Sequence, residues 1–280
     1  MFTITAVVEG QRITGTPAAF VFPGGESQVT VPANLRAQAD AASAFRIHAL
    51  LKSANDVMQL LMLTDALRRL NPAVPVHLDM PYVPYARQDR VCNPGEALGA
   101  AVFCKLINDQ QYATVTVVEP HSDVTPALLQ RLRVVDAAAF LKNALAAPAF
   151  AQGVTLMAPD AGARKRVQAL AKTLGVAQVR YAEKVRDTQT GRITETRVPD
   201  DIPDQPVLVV DDICDGGRTF LELAAALGDK TRQPLYLYVT HGIFSKGLAE
   251  LNARYAGIYT AYDWTDAEGA NAPVLVNIEN

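Results

Sequence analysis

The chain has 280 residues, 49% of them hydrophobic, which is room for one large domain or two of ordinary size. A formal net charge of −3 gives no electrostatic footprint for nucleic acid or for an anionic membrane. The opening MFTITAVVEGQR has no basic n-region, and no run reaches the roughly 20 apolar residues of a spanning helix, so neither a secretory signal nor a membrane span is expected.

Strand-like and helix-like segments alternate along most of the chain. Ser53 to Leu70 places Val57, Leu60, Leu61, Leu67 and Leu70 at helical spacing, with Asn55 or Ser53 as N-cap. A short extended run follows from Pro75 to Pro84, then helix signals at Ala97 to Ile107. Thr114 to Val118 (TVTVV) reads as a buried β-branched strand. Ala137 to Ala151 looks like a join, after which the plan repeats: strand at Val154 to Met157, helix at Arg164 to Leu174, strand at Val207 to Val210. A helix at Thr219 to Leu227, a strand at Leu235 to Thr240 and a helix at Lys246 to Arg254 complete the series. The polar stretch Arg186 to Val198, turning at Thr190-Gly191, reads as an exposed hairpin or flap. Alternation of this kind favours parallel sheets covered by helices on both faces, here in two doubly wound domains. Cys92, Cys104 and Cys214 show neither zinc spacing nor a disulfide framework, which points to core or loop thiols in a reducing, cytoplasmic setting.

Pro206 to Thr219 (PVLVVDDICDGGRT) carries the most chemistry. A buried strand ends in two acids, a glycine-bearing turn follows, and a helix starts at about Arg218 or Thr219. Ligands of open α/β sheets sit beyond the carboxyl ends of the strands. Free N–H groups at a helix N-terminus suit a phosphate, and Gly216 and Gly217 let the backbone approach it. Asp211 and Asp212 can accept hydrogen bonds from sugar hydroxyls or hold a magnesium ion through oxygen.

This unit resembles the sugar-phosphate loop of type I phosphoribosyltransferases and of ribose-phosphate pyrophosphokinases. Four further segments select the second family: Met80 to Arg90 (MPYVPYARQDR), Gln59 to Ala66 (QLLMLTDA), Ala158 to Gly162 (APDAG) and Thr240 to Ser245 (THGIFS). They occur in the family's order, and the likeness covers residues 20 to 278. The resemblance implies two domains of type I phosphoribosyltransferase-like fold: residues 1–137 contacting ATP, and residues 138–280 carrying the ribose-phosphate loop and a β-hairpin flap. It implies transfer of the β,γ-diphosphate of ATP to the C1 hydroxyl of ribose 5-phosphate, with magnesium bridging the phosphate oxygens and AMP released. Arg87, Gln88 and Asp89 match the family's ATP-contacting triplet, and Phe22 and Glu26 its adenine-contacting pair, which comes from a neighbouring subunit. A homo-oligomer, at least a dimer, is therefore implied. His121 and Asp160 match groups near the ATP magnesium, and Lys184 and Arg186 the basic pair that stabilises the transferring diphosphate. Asp211 and Asp212 would orient the ribose hydroxyls, while Asp215, Gly216, Gly217, Arg218 and Thr219 would cup the 5-phosphate.

Three departures mark this chain within that likeness. The loop Val91 to Ala97 (VCNPGEA) has no cation where the family is rich in them, and adds Glu96. Gly216-Gly217-Arg218-Thr219 replaces a hydroxyl-bearing loop, leaving more room and a planar cation able to clamp a second phosphate. The chain is also short at both ends relative to the family. Two alternatives follow: the same chemistry on a larger acceptor such as ADP-ribose, within NAD metabolism, or a catalytically silent regulatory subunit.

Overall fold

The computed structural model describes residues 2–186, 193–228 and 230–265. The chain divides into two compact units, Met1–Val135 and Asp136–Asn280. No helix among the described residues is long and apolar enough to cross a membrane.

The first unit opens with β1 (Phe2–Val8) and β2 (Gln11–Gly15), joined through Glu9 (φ 50°) and Gly10 (φ 80°). Two left-handed residues in a two-residue loop are the geometry that matches the twist of a tight hairpin. A second, separate hairpin pairs β3 (Ala18–Val21) with β4 (Ser27–Thr30). There follow α1 (Ala33–Arg36), β5 (Ala42–Ala49), α2 (Ala54–Leu70), β6 (Val76–Asp79), α3 (Gly99–Asp109), β7 (Thr114–Val118), α4 (Val124–Leu128) and β8 (Leu132–Val135).

Six of these strands form one sheet in the order β2-β1-β5-β6-β7-β8. Strands β5 to β8 run parallel, and β1 is antiparallel to both neighbours, an edge that the hydrophobic pattern did not announce. Strand alternation sends Phe45, Ile47, Leu78, Val115 and Val117 into a core shared with Leu60, Leu63 and Leu67 of α2 and Phe103 and Ile107 of α3. The opposite face is polar: Arg46 bonds Asp79, and His77 bonds Thr114. Helix α2 starts where its capping box dictates. Ser53 accepts from Asp56 N, and the Asp56 carboxylate accepts from Ser53 N.

The second unit contains α5 (Ala138–Leu145), β9 (Thr155–Ala158), α6 (Ala161–Leu174), β10 (Gln178–Tyr181), β11 (Glu183–Arg186), β12 (Ile193–Arg197), β13 (Val207–Cys214), α7 (Arg218–Gly228), β14 (Leu235–Gly242), α8 (Ala249–Asn252) and β15 (Gly257–Asp263). Its main sheet has the order β10-β9-β13-β14-β15 and is parallel throughout. After β9 the chain moves to one side, to β10; after β13 it moves to the other, to β14 and β15. The crevice beyond the carboxyl ends of β9 and β13 is thus the topological switch point of the sheet. Val207, Val209, Leu237 and Val239 supply a core that Leu223 and Leu227 of α7 cover. Strands β11 and β12 pair antiparallel as the expected flap, whose turn at Thr190-Gly191 lies outside the described residues.

Candidate functional site

At the switch point, β13 does not stop at Val210 as its apolar run suggests. It continues to Cys214, with Asp211 opposite Val239 and Ile213 opposite His241 in the ladder. The acid pair is therefore built into the sheet rather than hung on a loop beyond it. Asp212 is buried, and Asp211 nearly so. One nitrogen of Arg166, Nη2 on α6, meets both carboxylates: it donates to Asp211 Oδ1 and lies 3.1 Å from Asp212 Oδ1. Asp211 Oδ1 also accepts the Asp212 backbone N–H at 3.0 Å. Burial, followed by the charge of Asp212, holds the Asp211 carboxyl well above its ordinary range, with Arg166 opposing.

The turn after the acids is tied to the loop after β14. Ser245 Oγ donates to Asp215 Oδ1 at 2.7 Å, and Ser245 N donates to the Asp215 carbonyl. Gly217 has φ 76°, a left-handed conformation that favours glycine, although a Cβ there would make only ordinary contact with the Leu251 side chain at 3.4 Å. At Gly216 the nearest atoms to a Cβ belong to the Lys246 side chain, 3.7 Å away. Helix α7 then begins at Arg218, presenting its N-terminal amides to this turn. Thr219 is half-buried in the first turn of that helix. Arg218 is exposed and lies along its own helix, donating from Nε to Glu222 Oε1 at 2.6 Å. Its guanidinium is engaged on α7, whereas Lys246 has no ion-pair partner among the described residues and overlies the glycine turn. Burial pushes the Cys214 thiol up to about 12, so this residue is a neutral part of the core.

Asp160 follows β9 directly and caps α6, accepting from Ala163 N at 3.2 Å. It thereby stands at the carboxyl end of the strand next to β13. Lys184 and Arg186 lie on β11, their backbones paired with Thr196 and Ile193.

In the first unit the residues matched to ATP contacts lie in the connections after β6 and β7 and on the β3–β4 hairpin. The Arg87–Gln88–Asp89 segment belongs to the long connection after β6, where Pro84 and a left-handed Tyr85 (φ 63°) turn the chain out of the sheet. Arg87 and Gln88 are exposed, and Asp89 pairs with Arg90 at 3.4 Å. The Gln88 side chain lies directly over Gly99, in the space a Cβ would take at the start of α3. Half-buried His121 occupies the bend after β7. Phe22 and Glu26 flank the tip of the β3–β4 hairpin, joined by a Phe22 N to Glu26 carbonyl bond of 2.7 Å. The ring of Phe22 is 45% exposed and packs edge-on against Phe20 at 4.8 Å.

Glu96 organises the cation-free loop from within. Its carboxylate accepts from Cys92 N, Asn93 N and Asn93 Nδ2 at 2.9, 3.0 and 2.6 Å. The bond from the Asn93 side chain is the main cause holding the Glu96 carboxyl below its usual range.

The second unit thus brings Asp211, Asp212, Asp215 and the glycine turn to the end of β13, with Asp160 beyond the end of neighbouring β9; in the first, Arg87 to Asp89 lie in the connection after β6 and His121 in the bend after β7. Arg166 and Lys246 join the site without having been singled out in the sequence, and Ser245 joins it as the last residue of the Thr240 to Ser245 segment, to which no role was given. The two cations come from ARKRV and IFSKG, which adjoin the APDAG and THGIFS segments and carry no mark of which cation turns inward.

Residues 13–110 match the family described as the N-terminal domain of ribose phosphate pyrophosphokinase, and residues 127–241 match the phosphoribosyl transferase domain. The ribose-phosphate pyrophosphokinase of Thermococcus kodakarensis is 29% identical over 233 residues, 83% of this chain and 80% of that one. That of Bradyrhizobium diazoefficiens is 29% identical over 255 residues, 87% of this chain and 76% of its own. The Pyrococcus furiosus enzyme of the same name is 30% identical over 199 residues, covering 69% and 68% of the two chains. In fold, the phosphoribosylpyrophosphate synthetase of Mycobacterium smegmatis superposes with a TM-score of 0.73 at 20% identity, over 88% of this chain and 79% of the other. With sequence identity extending over both domains, this chain belongs to the ribose-phosphate pyrophosphokinase family and is an enzyme of the diphosphotransferase class.

Proposed function

We propose that the enzyme moves the β,γ-diphosphate of ATP, as its magnesium complex, onto the C1 hydroxyl of ribose 5-phosphate, giving phosphoribosyl pyrophosphate and AMP. The observation that carries this reading is the acid pair, glycine turn and α7 N-terminus meeting at the switch point of the second sheet. The α7 amides and the Gly216–Gly217 turn hold the 5-phosphate, with Asp215 braced by Ser245 and Thr219 offering its hydroxyl. Asp211 and Asp212 accept from the ring hydroxyls and so fix the direction in which C1 presents its own hydroxyl. Arg87, Gln88 and Asp89 bind the ATP phosphates and sugar, and Lys184 and Arg186 oppose the charge that grows on the transferring diphosphate. The C1 oxygen bonds to the β-phosphorus, the bond from that phosphorus to the α–β bridging oxygen breaks, AMP departs and the hydroxyl proton passes to water.

Magnesium characteristically keeps most of its shell for water and phosphate oxygens, with one or two protein ligands. Asp160, just beyond the end of β9, would be the second unit's ligand, His121 is matched to the same ion by the family resemblance alone, and the ion would neutralise charge on the phosphate oxygens. Phe22 and Glu26 stand on an exposed hairpin, which supports adenine contact in a neighbouring copy and hence a homo-oligomer. A larger acceptor such as ADP-ribose is the second reading. Lys246 over Gly216 favours it, because an unengaged cation at the mouth of the phosphate turn is placed for a second phosphate; Arg218, paired with Glu222, is not.

The test is AMP release from magnesium-ATP with ribose 5-phosphate and ADP-ribose in parallel, on the native protein and on Lys246→Met. Faster AMP formation with ribose 5-phosphate is expected, with Lys246→Met raising its KM about twofold to tenfold. A preference for ADP-ribose that Lys246→Met abolishes selects the second reading. AMP from neither acceptor sinks the activity.

A further inference from the structure

Arg166 has no assigned part in the scheme above, yet its guanidinium contacts both acids of the pair. Ala163, Val167 and Leu170 turn the inner face of α6 to the sheet, and Arg166 leaves the same side one residue before Val167. Its side chain is 22% exposed, against 16% for Asp211 and 4% for Asp212. Two carboxylates this close repel in a medium that screens poorly, and each is a free rotor unless something fixes it. A guanidinium touching both does so, because it is planar, permanently charged and offers several donors; an ammonium is a point charge and holds no such plane. At Asp211 the bonds from Arg166 and from Asp212 N both fall on Oδ1, so two donors from the protein fix the same edge of the carboxylate.

We propose that Arg166 is a positioning residue for the acceptor: from α6 it locks the Asp211 and Asp212 carboxylates in the orientation that receives the ring hydroxyls. This rests on the reading of the acid pair as the hydroxyl-binding group. Arg166 itself touches no substrate. Its contribution is felt only by ligands that carry those hydroxyls, whereas a merely structural role would weaken every ligand of the crevice alike.

Calorimetric affinities of the intact protein for ribose 5-phosphate and for tetrahydrofurfuryl phosphate, which keeps a ring and a phosphate but has no ring hydroxyls, separate the two. Native protein that fails to prefer ribose 5-phosphate overturns the reading of the acid pair, and the proposal with it. Given that preference, Arg166→Met is expected to lower ribose 5-phosphate affinity roughly tenfold to a hundredfold, with the analogue unchanged within about twofold. Arg166→Lys, which keeps the charge, is expected to restore part of the preference, and it decides the matter alone should Arg166→Met fail to fold. An undiminished preference in either variant overturns the role of Arg166 while leaving the acid pair in place. Equal losses for both ligands overturn it too.

Discussion

Asp211 sits in the β13 ladder with its carboxyl largely withdrawn from water and a second carboxyl beside it. Because its value is raised, the folded protein takes up that proton more readily than the unfolded chain. Stability is therefore lost as pH climbs from the ordinary value of 3.8 through the folded-state value. Asp211→Asn removes this loss: its melting temperature at pH 7 should exceed that of the native protein by roughly a few degrees, with the advantage shrinking toward pH 4. An unchanged difference across that range would show that the carboxyl is not under strain. Asp211 itself was legible in the sequence as part of an acid pair at a strand end. Its partner was not, since Arg166 lies 45 positions away and nothing local marks which cation of ARKRV turns inward. Lys246 was hidden for the same reason, whereas Arg218 drew attention as a planar cation in the phosphate loop able to clamp a second phosphate.

At the scale of elements, hydrophobic period and capping read well where both were present. Helix α2 runs Ala54–Leu70 behind the Ser53 cap, and TVTVV is a strand over its whole length. The pattern failed where polar residues continue a strand or apolar ones do not form one. Strand β13 reaches Cys214 through two acids, while the extended run from Pro75 shrinks to β6 because Pro81 and Pro84 have no N–H for a ladder. Helix α8 is only Ala249–Asn252, the chain before it being taken by Phe244 (φ 47°) and Gly247 (φ 73°). The start of α3 offers a test of the ATP-binding role proposed for Gln88. Gly99→Ala puts a methyl where the Gln88 side chain rests, at a helix position where alanine is otherwise the better residue. The expected result is a KM for ATP raised about threefold to tenfold, with the KM for the acceptor and the melting temperature unharmed. An unaltered KM for ATP would remove Gln88 from the nucleotide site.

For the whole molecule, both sheets and the order of the two units follow from alternation, but the hairpin edge of the first sheet does not. Its signal was a Glu-Gly pair between apolar runs, readable only once Glu9 is known to take a left-handed conformation. The β3–β4 hairpin carries a prediction about assembly. Phe22→Ala and Asp211→Ala are each expected to be inactive, and a mixture dissociated and reassembled together should recover activity that neither has alone. Such recovery requires one copy to lend its hairpin to the crevice of another. A mixture that stays inactive would keep Phe22 within its own chain.

The placement of two acids inside a hydrogen-bonded strand has a consequence beyond recognition. A loop could relax and let the backbone beneath its carboxylates move apart; a strand paired with β14 at Asp211 and Ile213 holds that backbone in place. The protein without ligand therefore carries crowded charge that Arg166 opposes and that a proton on Asp211 eases further. On the reading of the acid pair as the hydroxyl-binding group, the acceptor completes what the strand leaves crowded, and its binding stabilises the second unit by mass action.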